Sequence, residues 1–101
     1  YKKDVDDLRE SASVNLVKLL LKDKYKNIQY SDPYIKGPIS IKNFKFNKKS
    51  IKLNSNNIKK FDIIVLMTDH DNFNYKMIYK NSKIIVDCRG RFSLDHKVYR
   101  A

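Results

Sequence analysis

Two short runs constrain the fold of this chain more than any other feature. Phe61-Asp62-Ile63-Ile64-Val65-Leu66-Met67 and Lys83-Ile84-Ile85-Val86-Asp87 are nearly continuous apolar stretches of strand length. Unbroken Ile/Val runs of this kind are the pattern of strands covered on both faces. Between them, Tyr75, Ile78 and Tyr79 recur at helical spacing, which predicts a short helix over 75–81 with those three side chains turned inward. Strand, helix and strand in that order make a right-handed crossover between parallel strands. The expected class is α/β, a three-layer unit on a parallel sheet.

The rest of the chain fits around that core. Val14, Leu16, Val17, Leu20 and Leu21 predict an amphipathic helix over 12–24, with Ser11 as its N-cap and lysines in its last turn. Asn27 to Ser31 alternates and is stopped by Asp32-Pro33, which reads as a strand and a turn. From Tyr34 to Lys52 the alternation is loose (Ile39, Ile41, Phe44, Phe46, Ile51) and rich in lysine, as in a long connection with one or two edge strands. Asn54 or Ser55 caps a short helix reaching Lys60. The sheet is expected to hold strands near 28–31, 62–67 and 83–87.

At 101 residues with 42% apolar side chains, the chain is long enough for one domain, 1–101, with a modest core. No apolar run approaches the roughly 20 residues of a membrane span, and no signal-peptide pattern is present. Cys88 is the single cysteine, which rules out an internal disulfide framework and fits a reducing, cytoplasmic compartment. The net charge of +11 raises nucleic acid as a partner. Against it, 18 of the 22 basic residues are lysines scattered from Lys2 to Lys97. Lys, Asn, Ile and Tyr are the amino acids of AT-rich codons, so genome bias accounts for much of the basicity. A stand-alone basic module for nucleic acid or acidic partners remains the alternative.

The first residues, YKKDVDDLRES, look like a loop between a strand and a helix, yet no strand precedes them. Ligands of open α/β sheets sit beyond the carboxyl ends of strands. The expectation is that the first strand is missing because the chain is a piece of a longer protein.

Four motifs, in order, resemble the carboxyl-terminal domain of the nucleotide-sugar dehydrogenases. That family oxidises UDP-glucose, UDP-N-acetylhexosamines or GDP-mannose to uronic acids. The motifs are YKKDVDDLRES, Ser31-Asp32-Pro33-Tyr34, the run from Phe61 to His70, and the stretch from Asn74 to Arg89. Three departures are visible: the absent leading strand, an idiosyncratic 36–52, and Cys88 where Thr or Gly is usual. The resemblance implies a Rossmann-like domain that closes over the UDP-sugar of a UDP-sugar 6-dehydrogenase, with a UDP-N-acetylhexosamine as one candidate substrate.

By the same resemblance, Tyr1, Lys2 and Arg89 contact the substrate, and Arg9 reaches the cofactor side. NAD is held mainly by an amino-terminal domain outside this chain. The catalytic cysteine and the dimer contact lie in a central region that is also outside it. This piece alone is therefore expected to be inactive, and the remainder of its own chain is its partner in a homo-oligomer. A diphosphate suits these residues, since Lys meets it as a point charge and Arg as a planar fork. Arg9 also has Asp6, Asp7 and Glu10 beside it for local pairing. Only Gly37 and Gly90 occur, so no glycine-rich dinucleotide fingerprint is present.

Other chemistry is weakly signalled. Asp4, Asp6 and Asp7 lack the spacing of a calcium loop, and Asp69-His70-Asp71 with Cys88 lacks a zinc ligand pattern, so no metal is expected. His70 reads as a solvated loop residue. Cys88, following a strand, reads as a small hydrophobe and not as a nucleophile.

Overall fold

The structure is a computed structural model that describes residues 12–23, 27–41 and 44–100. The chain divides into two compact units, Tyr1–Ile51 and Lys52–Ala101.

In the second unit, α2 (Ser55–Lys59), β3 (Ile64–Leu66), α3 (Tyr75–Asn81), β4 (Ile85–Asp87) and β5 (Val98–Arg100) follow one another. Asn54 caps α2 by accepting the Asn57 N–H at 2.8 Å, and Asn74 caps α3 through the Met77 N–H at 3.2 Å. Ser82 ends α3, its hydroxyl donating back to the Ile78 carbonyl at 2.6 Å. The three strands pair in parallel in the order β3-β4-β5, with Ile64, Ile85 and Val98 in one row. These side chains share a face with Leu66. Ile58 of α2, Ile78 of α3 and Phe92 complete the core on that face. The α/β class and the Rossmann-like parallel sheet stand, as do the helices at 55–59 and 75–81.

The strand predictions need correcting in three places. Residues 28–31 form no strand. Tyr30 instead gives its carbonyl to the Ile51 N–H at 2.9 Å, a tie to a loop. A strand unannounced by any apolar run, β5, takes the third place in the sheet, held by Val98 as its one buried side chain. Finally, Ile63, Val65, Ile84 and Tyr99 are exposed, so the runs at 61–67 and 83–87 are covered on one face, not both.

In the first unit, α1 (Ala12–Lys22) presents half-buried Leu16, Val17 and Leu20, while Leu21, predicted inward, is exposed with Leu19. β1 (Ile39–Ile41) and β2 (Phe44–Phe46) pair antiparallel, the edge-like ribbon expected of the lysine-rich middle. Phe46 is buried against Val17, Ile28, Tyr30 and Ile35. Asp32 makes the predicted turn: its Oδ1 accepts the N–H groups of Tyr34 at 2.7 Å and Ile35 at 3.1 Å. Among the described residues no helix is long and apolar enough to cross a membrane.

Candidate functional site

Because β3 and β4 run parallel, the loops leaving them open on the same edge of the sheet, where α/β folds bind ligands. The loop after β4 is shaped by the strand's last residue. Asp87 is only 1% exposed, and its carboxylate is spent entirely on backbone. Oδ1 accepts the N–H groups of Arg89 at 3.0 Å and Gly90 at 2.9 Å, and Oδ2 accepts that of Phe92 at 2.8 Å. A carboxylate bonded by several backbone amides is a strong acceptor, and it folds the chain around itself. Gly90 supplies the positive φ of +73° that this turn requires. From β5, the Arg100 guanidinium donates to the Phe92 carbonyl at 3.2 Å and closes the loop's far end.

Arg89 leaves this turn with its side chain 42% exposed. Its Nε donates to Asp69 Oδ1, in the loop after β3, at 3.2 Å. Among the described residues its two terminal nitrogens make no hydrogen bond. Arg91 is differently placed. It lies 3.6 Å from Asp69 Oδ2 and 3.7 Å from Asp71 Oδ1, and its guanidinium stacks 4.3 Å above the Tyr75 ring. The loop after β3 is itself fixed. The Tyr75 hydroxyl donates to the His70 carbonyl at 2.6 Å, and edge-on aromatic contacts run from His70 through Phe73 and Tyr75 to Phe92. His70, read from sequence as solvated, is 1% exposed and packs edge-on against Phe73 at 5.4 Å. The site pairs two arginines with two aspartates, one arginine committed to its own fold and one presented outward.

Thr68, at the exit of β3, is buried, and its hydroxyl has no partner among the described residues. Cys88 is half-buried, and burial pushes its thiol pKa up, with the Asp87 carboxylate adding to the effect. A raised thiol pKa is the opposite of what a nucleophile needs.

Of the residues singled out from sequence, Arg89 stands in this site, and Tyr1, Lys2 and Arg9 lie outside the described residues, as do Asp4, Asp6, Asp7 and Ser11. Sequence reasoning missed Asp69, Asp87 and Arg91. A signal for Asp87 was present: an aspartate closing an apolar strand, with a glycine three places on, is a turn signature. Neither Gly37 nor Gly90 opens a helix, so neither makes the glycine-rich turn of a dinucleotide fingerprint. No group of three His, Cys, Asp or Glu among them is arranged to hold a metal ion.

Comparison with known proteins gives the family of the chain. The chain is similar to an NDP-N-acetyl-D-galactosaminuronic acid dehydrogenase of Ralstonia solanacearum, at 28% identity over 95 residues. A protein of the same description from Ralstonia nicotianae is 26% identical over 95 residues. Each alignment takes in 92% of this chain and 21% of the relative, so the chain spans about a fifth of the length of the curated relatives it matches. No solved structure matches it. Residues 1–93 match the UDP-binding domain of the UDP-glucose/GDP-mannose dehydrogenase family, and the chain belongs to that family.

Proposed function

We propose that this chain is the substrate-binding part of an NAD-dependent nucleotide-sugar 6-dehydrogenase that oxidises a UDP-hexose to its uronic acid. The observation that carries the reading is Arg89, with terminal nitrogens free among the described residues, held at the carboxyl edge of a parallel sheet in a UDP-binding family. Its planar fork suits the diphosphate of such a substrate. Tyr1 and Lys2 belong to the same substrate contact in this reading, and Arg9 to the cofactor side.

NAD, when bound, accepts hydride from the sugar. Its binding is assigned to the remainder of the protein, together with the catalytic thiol. Cys88 is not that thiol, and this piece alone is expected to be inactive. Repulsion of the diphosphate by the pair Asp69 and Asp71 is offset by Arg89 and Arg91, which leave the edge without excess negative charge. The full-length protein is expected to be a cytoplasmic homo-oligomer.

The test is an assay of the full-length protein with NAD and a panel of UDP-hexoses, followed by Arg89→Ala. Loss of a charge-assisted contact is expected to raise KM for the UDP-sugar about tenfold to 150-fold, with KM for NAD little changed. Arg89→Lys is expected to recover part of the loss. No NAD reduction with any UDP-hexose would overturn the activity, and an unchanged KM in Arg89→Ala would overturn the contact.

A further inference from the structure

We propose that Asp69 is a positioning residue for substrate. It grips Arg89 by Nε and thereby keeps the terminal nitrogens aimed at the nucleotide's anion. The proposal rests on the reading of Arg89 as a nucleotide-sugar contact and adds the device that makes that contact effective.

Four observations converge on it. Arg89 is anchored at both ends: its backbone N–H sits on buried Asp87 at 3.0 Å and its Nε on Asp69 at 3.2 Å. Asp69 is the less exposed member of the pair, its side chain at 19% against 42% for Arg89. Its second oxygen faces Arg91 at 3.6 Å. Arg91 in turn is braced by Asp71 and the Tyr75 ring, so Asp69 belongs to a network spanning two loops and is not a lone surface partner. An unrestrained arginine must give up its rotamer freedom when it takes a ligand, and one already held has less to lose. Choosing Nε for the hold matters, because it spares the terminal pair that forms the ligand-facing fork. Arg91, engaged from three sides, is not available for that role.

A carboxylate beside an anion site has a second conceivable effect of opposite sign. Were Asp69 simply a negative charge competing for Arg89, removing it would tighten anion binding. The two roles are therefore separable by direction alone.

The experiment measures the Kd of UDP for the full-length protein by calorimetry, in Asp69→Ala, Asp69→Asn, Arg89→Ala and the double variant Asp69→Ala/Arg89→Ala. Thermal melting of each checks the fold. Asp69→Ala is expected to weaken UDP about two- to twelvefold, the weight of immobilising one rotamer-rich side chain on binding. Asp69→Asn, which keeps an acceptor oxygen for Nε, is expected to fall between it and the parent. In the Arg89→Ala background the Asp69 change is expected to have no further effect, because it acts through Arg89. Unchanged or tighter binding in Asp69→Ala, or a fully additive loss in the double variant, overturns the proposal while leaving the Arg89 contact standing. If Arg89→Ala itself leaves UDP binding unchanged, both fall.

Discussion

The two units solve the problem of staying folded by different means. Lys52–Ala101 condenses on six buried apolar side chains, Ile58, Leu66, Ile78, Ile85, Phe92 and Val98, contributed by two helices, three strands and a loop. In Tyr1–Ile51 the described residues bury a single apolar side chain, Phe46, ringed by half-buried neighbours. What the first unit lacks in apolar burial it replaces with backbone ties between distant loops. Ser50 N–H reaches the Lys36 carbonyl at 2.9 Å, Ile51 N–H reaches that of Tyr30 at 2.9 Å, and the Ser50 hydroxyl accepts the Asp32 N–H at 2.8 Å. None of the 11 acidic residues falls between positions 33 and 61, whereas in the second unit Asp69 faces arginines and Asp87 accepts backbone amides. Burial scales with apolar area and tolerates surface change, while loop ties depend on each backbone group keeping its partner.

Core truncation sharpens that comparison most. Ile85→Ala, at a position with 0% exposure, is expected to cost about 2–5 kcal/mol in urea unfolding. Phe46→Ala removes a larger side chain, yet its half-buried neighbours can close in, so the expected cost sits near the low end of that range. A larger loss at Phe46 than at Ile85 would break the distinction between the units. Next in size is Asp87→Ala, which strands three backbone amides, those of Arg89, Gly90 and Phe92. Leaving buried donors unpaired is expected to cost about 1–3 kcal/mol for each group that water cannot reach. Hydrogen exchange at those three amides should rise well before the core opens. Retained protection would show that something other than Asp87 holds the loop.

The first unit has its own weak point. Gly37 sits at φ +79°, and a Cβ there would collide with the Tyr30 hydroxyl and stand 2.7 Å from the Lys48 carbonyl. Gly37→Ala therefore combines backbone strain with a backbone collision, for an expected loss of about 1–3 kcal/mol by thermal melting. A neutral result would mean the loop ties around Tyr30 and Ser50 yield easily, against the account above.

How much of this was legible in the sequence also follows the division. Unbroken Ile/Val runs and helical spacing marked β3, α3 and β4, although the runs overstated their cover, since Ile63, Val65 and Ile84 are exposed. The Asn54 cap and the Asp32 turn were legible because each is a side chain bonding its own neighbourhood. The segment 28–31 misled, since alternation alone does not provide a partner strand, and Tyr30 found a loop carbonyl tie instead. β5 was invisible because one buried valine carries it. In the site, Arg89 was found through its motif. Asp87 is a local partner two residues away, whereas its partner Asp69 lies in the loop after a different strand, a proximity that the parallel pairing creates. His70 was misread for the same reason: burial of a loop residue depends on Phe73 folding back against it.

The smallest expected effect is a pH dependence at the other end of the second unit's sheet. The Tyr79 hydroxyl of α3 donates to Asp95, ahead of β5, and the Lys97 N–H donates to the same carboxylate at 2.9 Å. The Lys97 ammonium lies 4.2 Å from the Tyr79 ring centre and donates to the Ser82 carbonyl at 3.2 Å. The hydrogen bond from Tyr79 holds the Asp95 carboxyl below its usual range, and the same bond is the main cause pushing the Tyr79 phenol up. For Asp95, a folded pKa below the unfolded one means stability that is present above the ordinary value of about 3.9 and lost as pH falls through the depressed one. For Tyr79, a raised folded pKa means stability present below about 10 and lost as pH climbs through the raised one. Both groups face solvent, so screening keeps the effect small. The Tm difference between the parent and Asp95→Asn should therefore be flat from about pH 5 to 9 and shrink at both ends. Lys97 keeps its hold on Ser82 in the variant, which separates the titrating pair from the anchoring of β5. A Tm difference that ignores pH would assign the contact to packing alone, and an alkaline edge that survives in Asp95→Asn would remove Tyr79 from the pair.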